Sequence, residues 1–182
     1  MKKWLCLLLT AGLMLALLAS CGGGAVTAGG NASAAKFSKN DLYLTIHGTK
    51  YVCDGVIDDM INAFGEDYSY AEAISCAYDG LDKIFTYDNL DIYTRPDGDR
   101  DLVTELCAYD DVESSKNIVI GSSADSVRSA YGEPTRETSR LLSYIIAPAS
   151  PDSDGASLYF KLDANGAVTA IGITAEVLIG EE

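Results

Sequence analysis

Asn62-Ala63-Phe64-Gly65-Glu66 and Ser129-Ala130-Tyr131-Gly132-Glu133 are two versions of one pattern, set 67 residues apart. Each ends an apolar-periodic stretch. Before the first copy, Val56, Ile57, Met60, Ile61 and Phe64 fall at i, i+1, i+4, i+5 and i+8. That spacing is one face of a helix, and Gly65 is a fitting stop. Before the second copy, Ser122 or Ser123 caps a helix through Ala124 to Tyr131, ended by Gly132-Glu133-Pro134.

Strand patterns follow each helix. After the first they fall at about 74–79 continuing through 83–87, then 90–95, then 102–109. Asp88-Asn89 and Pro96-Asp97-Gly98-Asp99 supply turn chemistry between them. After the second they fall at 141–147, 157–162 and 167–174, with Asp163-Ala164-Asn165-Gly166 as a hairpin turn. Each helix is preceded by an extended stretch: 42–52, turning at Gly48, and 117–121. The expectation is an α+β fold: a tandem duplication of a helix plus a three-stranded antiparallel meander, with the helices packed on one sheet face. The first unit spans 41–114 and the second 115–182.

The first 40 residues read differently. Lys2 and Lys3 precede the apolar run Trp4 to Leu18, and Leu18-Ala19-Ser20-Cys21 follows. A charged start, a short apolar core and small residues before a cleavage point describe a secretory signal peptide over 1–20. The run is shorter than the roughly 20 residues of a spanning helix. Leu-Ala-Ser-Cys resembles the lipobox of bacterial lipoproteins. That resemblance implies cleavage before Cys21, lipid on its thiol, and anchoring on the extracytoplasmic face of the cell membrane. Residues 21–40 begin rich in Gly, Ala, Ser and Thr and read as a flexible tether.

The formal net charge is −14. Removing residues 1–20 takes away two lysines and no acids, leaving a mature charge of −16. This argues against nucleic acid as a partner. It also argues against lying flat on an anionic leaflet. One tryptophan, in the signal segment, stands against eleven tyrosines. That balance favours strands over a large aromatic pocket.

Cys53, Cys76 and Cys107 fall in the mature chain. Cys53 and Cys76 flank the first helix and are the expected disulfide pair, while Cys107 reads as a small core residue. No Cys-x-x-Cys occurs, and His47 is the only histidine, so no metal site is expected. Asp97, Asp99 and Asp101 match the first three ligand positions of a calcium loop, but Leu102 and Ala108 occupy its glycine and glutamate positions. They read as an acidic hairpin turn. No Gly-x-Ser-x-Gly surrounds a serine, and no glycine loop is placed to cradle phosphate. Neither catalytic residues nor a cofactor are expected. Asp79, Asp82 and Lys83 offer either a ligand-contacting surface or a turn with a cross-strand ion pair, and the second reading is favoured.

Residues Ser75 to Tyr87, with Asp91-Ile92-Tyr93-Thr94 after them, resemble an uncharacterised lipoprotein family of Gram-positive gut bacteria. Ile120-Gly121-Ser122-Ser123, Val127 and Ala130-Tyr131-Gly132 fit the second half of the same pattern. The resemblance covers about 42–174 and carries no activity. In layout the chain is also distantly similar to beta-lactamase inhibitor protein and to the SmpA/OmlA lipoproteins, which bind proteins without catalysis. The function expected is thus a non-enzymatic module that binds another protein or an envelope component. The alternative is a solute-binding protein or an enzyme with an unrecognised pocket. A binding sheet face would carry exposed tyrosines, and Tyr43, Tyr87, Tyr93, Tyr144 and Tyr159 are the candidates.

Overall fold

The computed structural model describes residues 36–179. The expected signal peptide, Cys21 and most of the expected tether lie outside them. Strands dominate what is described. In chain order the elements are β1 (Leu44–Ile46), β2 (Thr49–Tyr51), α1 (Ile57–Phe64), β3 (Ser69–Ile74), β4 (Leu81–Thr86), β5 (Leu90–Asp97), β6 (Arg100–Ala108) and β7 (Val112–Ser114). Then follow α2 (Ala124–Tyr131), β8 (Arg136–Thr138), β9 (Leu141–Ile145), β10 (Ser153–Asp154), β11 (Ser157–Leu162), β12 (Val168–Thr174) and β13 (Val177–Leu178).

Eight of the strands form one antiparallel sheet in the order β3-β4-β5-β6-β12-β11-β9-β8. β1, β2 and β7 form a separate three-stranded sheet, and β10 pairs with β13. This overturns the expected α+β duplication of helix plus three-stranded meander. The protein is mostly β, with two helices of eight residues each. Two strands of the large sheet were not anticipated, and both are edges: β3 and β8, every residue of which is exposed. An edge strand exposed on both faces has no burial alternation to betray it. Residues 75–80, expected as the start of a strand, form the turn that links β3 to β4.

The boundary expected between units at residue 114 does not divide the core. β6 pairs with β12, with Leu106 opposite Ile173 and Cys107 opposite Gly172. One hydrophobic core gathers Leu44 and Val112 from the small sheet and Met60 and Val127 from the helices. It also takes Ile92, Leu106, Leu158 and Phe160 from the large sheet. Register explains why. Tyr70, Phe85, Ile92, Leu106, Ile173, Leu158 and Tyr144 stand side by side across seven strands, on the face that meets the core. Tyr70, on the edge strand, stays half exposed, and burying side chains of the size of the other six stabilises by roughly 1.5–3 kcal/mol each.

The helix ends behave as their sequence requires. Ser123 Oγ accepts the Ser126 N–H at 3.1 Å and caps α2. α1 has Val56 at its N-cap position and no side-chain cap. Both stop on glycine at positive φ: Gly65 at 88° and Gly132 at 83°. Gly98, at φ 66°, and Asp99 form the tip of the β5–β6 hairpin, closed by Asp97 opposite Arg100.

Candidate functional site

Strand alternation puts a second set of residues on the opposite, outer face of the large sheet. One row runs Ala71, Ile84, Tyr93, Glu105, Thr174, Ser157 and Ile145. The next runs Ser69, Thr86, Asp91, Cys107, Gly172, Tyr159, Ser143 and Arg136. Where the core face is a band of Leu, Ile and Phe, this one mixes rings, carboxylates and small residues.

The middle of the outer face is a hydrogen-bonded polar cluster. Tyr159 donates to Glu105 Oε1. Tyr109 donates to Asp91 Oδ2 at 2.6 Å. Lys161 Nζ lies 3.4 Å from Cys107 Sγ and 5.7 Å from the centres of the Tyr109 and Tyr159 rings. Cys107 is 1% exposed, in a small cluster with Tyr159 and Ala170. Burial, and then the neighbouring Glu105 charge, pushes the Tyr159 phenol far up. Burial and the hydrogen bond to Asp91 do the same at Tyr109. Burial raises Tyr93, with Asp91 adding to the effect. These phenols are therefore protonated at neutral pH and act as hydrogen-bond donors and ring surfaces, not as bases.

Beside this cluster is a recess of about 480 Å³. Its floor is β3, β4 and β5, through Ala71, Ile84, Tyr93 and Arg95, and its far wall is β13. The wall is tied down by Leu178 N–H donating to Tyr78 Oη at 2.9 Å. Arg95 stacks on Tyr78, its guanidinium carbon 4.7 Å from the ring centre. Arg95 has one hydrogen bond, Nη1 to the Pro96 carbonyl at 3.4 Å, and its Nε is buried without a partner. It makes no ion pair among the described residues. Lys83 also lines the recess but is held by Asp101 at 2.7 Å. Glu72, Asp82 and Glu105 bring negative charge to the same lining. The volume is within the roughly 300–1,000 Å³ of small-molecule sites. The groups present supply rings, aliphatic walls and one cation free to pair.

The sequence-selected tyrosines divide. Tyr93 and Tyr159 are on the outer face. Tyr144 is in the core, its hydroxyl on the Gly132 carbonyl at 2.9 Å. Tyr87 packs with Phe64 and Tyr68 and donates to the Gly65 carbonyl at 2.9 Å. Tyr43 lies beneath Lys50, 4.0 Å from Nζ to the ring centre. Sequence reasoning missed Tyr78, Arg95, Tyr109 and Leu178. Arg95 was visible as a cation two residues after Tyr93 in an alternating strand, hence on the same face.

The expected disulfide is not formed: Cys53, Cys76 and Cys107 are all free thiols. Cys53 packs against the core and donates to the Ile173 carbonyl at 3.5 Å, and burial raises its pKa. Cys76 is exposed and lines the recess on the other side of the sheet. His47 sits exposed in the β1–β2 turn, 3.4 Å from Asp111 Oδ2. Asp97 pairs with Arg100 at 2.5 Å and Asp101 with Lys83, so two of the three aspartates of the calcium-like spacing are engaged with cations. Among the described residues no group of three His, Cys, Asp or Glu is placed to hold a metal ion. No helix there is long and apolar enough to cross a membrane.

No protein-family model, curated protein or solved structure matches this chain.

Proposed function

We propose that this protein is a lipid-anchored extracytoplasmic module that binds another protein or an envelope component on the outer face of its eight-stranded sheet. Cys21 carries the lipid, and the tether after it holds the folded part off the membrane. The observation that carries the binding reading is the recess beside Tyr78, Tyr93 and Arg95. Arg95 stacks on Tyr78 and makes no ion pair among the described residues, so its guanidinium can give a ligand a charge-assisted hydrogen bond beside two rings. The outer face brings together no activated nucleophile with a base and an orienting group, the arrangement that covalent catalysis uses. The recess volume favours a second reading, a small solute with a carboxylate and an apolar body.

Crosslinking in the native cell, followed by mass spectrometry of what co-purifies, tests the reading. The wild-type protein should retain a defined partner that the double variant Tyr93→Ala, Arg95→Ala loses. Equal recovery with both proteins, or no partner with either, would count against the outer face. Fractionation of Cys21→Ala tests the anchor, which is wrong if that variant stays with membranes in processed form.

A further inference from the structure

The two edges of the large sheet differ. β8 is three residues, Arg136-Glu137-Thr138, two residues after Pro134. Short length, charge and a nearby proline are what protect an edge from pairing. β3 is twice as long, has no proline in or beside it, and its one charged residue is Glu72. It is six residues, Ser-Tyr-Ala-Glu-Ala-Ile, all exposed, without Lys or Pro and without a register shift against β4. Ile74 is 83% exposed and Tyr70 48%.

The main chain of β3 is open in a defined pattern. Ser75 N–H donates to the Gly80 carbonyl at 3.0 Å, continuing the β3–β4 register. Antiparallel alternation then turns the N–H and C=O of Ala73, Ala71 and Ser69 toward β4. Those of Tyr70, Glu72 and Ile74 face outward, where no strand follows β3 in the sheet.

Charge says what fits there. From Tyr51 to Asp82 the chain has no Lys or Arg, and it carries Asp54, Asp58, Asp59, Glu66, Asp67, Glu72, Asp79 and Asp82. Glu66, Asp67, Glu72 and Asp79 lie in or next to β3, are exposed, and form no ion pair among the described residues. A second copy of this chain would bring two such acidic edges together, which is disfavoured.

We infer that β3 accepts an extended segment of another protein, carrying Lys or Arg between apolar residues, as a ninth strand. The contact is made by main chain and goes beyond the outer-face reading, on which it does not rest.

The probe is an acetylated, amidated peptide of about ten residues alternating Lys and Val, long enough to match the strand. Its control has Pro in place of alternate Val. Binding is measured by calorimetry at physiological salt. Glu72→Pro removes one outward N–H and leaves the β4 ladder intact, as proline is tolerated on the open side of an edge. Glu72→Gln removes only the charge. The wild type and Glu72→Gln should bind the alternating peptide within a few-fold of each other, and Glu72→Pro at least about tenfold more weakly. Arg95→Ala should bind it as the wild type does, whatever becomes of the outer-face ligand. Equal binding of both peptides would reduce the effect to bulk charge and overturn the inference. So would a dimer that Glu72→Pro abolishes, which would make a second copy the occupant. If Glu72→Pro does not fold, amide exchange on the wild type decides. Saturating peptide should protect Tyr70, Glu72 and Ile74, and unprotected amides there would refute the ninth strand.

Discussion

The Tyr144 hydroxyl donates to the carbonyl of Gly132, the glycine that ends α2, at 2.9 Å. Tyr87 makes the same bond to Gly65, which ends α1, also at 2.9 Å. A glycine at positive φ turns the chain out of each helix, and a strand tyrosine then satisfies its carbonyl. Tyr144 is 1% exposed, while Tyr87 is only partly buried. Tyr144→Phe should therefore cost about 1 kcal/mol, with a larger effect than Tyr87→Phe. Urea unfolding of the two variants checks the order.

Tyr159 and Gly172 are opposite each other on β11 and β12. A Cβ at Gly172 would stand 2.2 Å from Tyr159 Cζ, so the ring occupies the space over the glycine. Gly172→Ala must swing the ring out and break its bond to Glu105. The expected loss is about 1–3 kcal/mol by overpacking. Tyr159→Leu should lessen the extra cost of Gly172→Ala. A double-mutant cycle in denaturant reads that coupling, and strict additivity would contradict the packing described.

Stability should fall on the alkaline side. Burial pushes the Tyr144 phenol up to about 12, against an ordinary value of 10. Tyr131 and Tyr159 are raised from the same cause. A phenol that holds its proton more tightly when folded stabilises fully below its unfolded value. That contribution is lost as the pH rises through the folded value. The unfolding free energy should therefore decline from about pH 10 upward, and Tyr144→Phe should flatten the decline between about 10 and 12. Denaturation series at stepped pH, with phenolate absorbance followed in parallel, measure both.

The thiols give a simpler readout. Cys76 is exposed, while Cys53 packs against the core and Cys107 is buried. Brief alkylation of the native protein should label Cys76 and spare the other two, and denaturant should release them. Burial also holds Cys53 protonated, which slows it further. Peptide mass spectrometry separates the three. Protection of Cys76 in the native protein would contradict its placement at the recess.

Much of the local structure was legible. The Phe64-Gly65 and Tyr131-Gly132 stops fall where the helices end, because glycine at positive φ writes itself plainly in sequence. β4, β5 and β6 fall close to the strands expected at 83–87, 90–95 and 102–109, because the turn residues Asp88-Asn89 and Pro96 to Asp99 bound them. The sheet's extent did not show. β3 and β8 are exposed on both faces, so Ser69 to Ile74 and Arg136 to Thr138 carry no sustained period of two. The joining of β6 to β12 is a long-range pairing that no local signal announces. The same blindness hid the site. Tyr78 and Arg95 are 17 residues apart in the chain, and their stacking follows only from the β3–β4 turn folding back over β5. Tyr144 misled in the opposite way, since a tyrosine in a strand reads alike whether its ring meets solvent or core.

The outer face as a binding surface is tested most directly by placing one photoreactive residue on each side of the protein in the producing cell. Leu178 lines the recess and is 48% exposed, whereas Asn62 is exposed on α1. Irradiation should give a defined adduct from position 178, absent from position 62 and lost with Arg95→Ala. Adducts of equal yield from both positions, or an adduct from position 62 alone, would contradict the account.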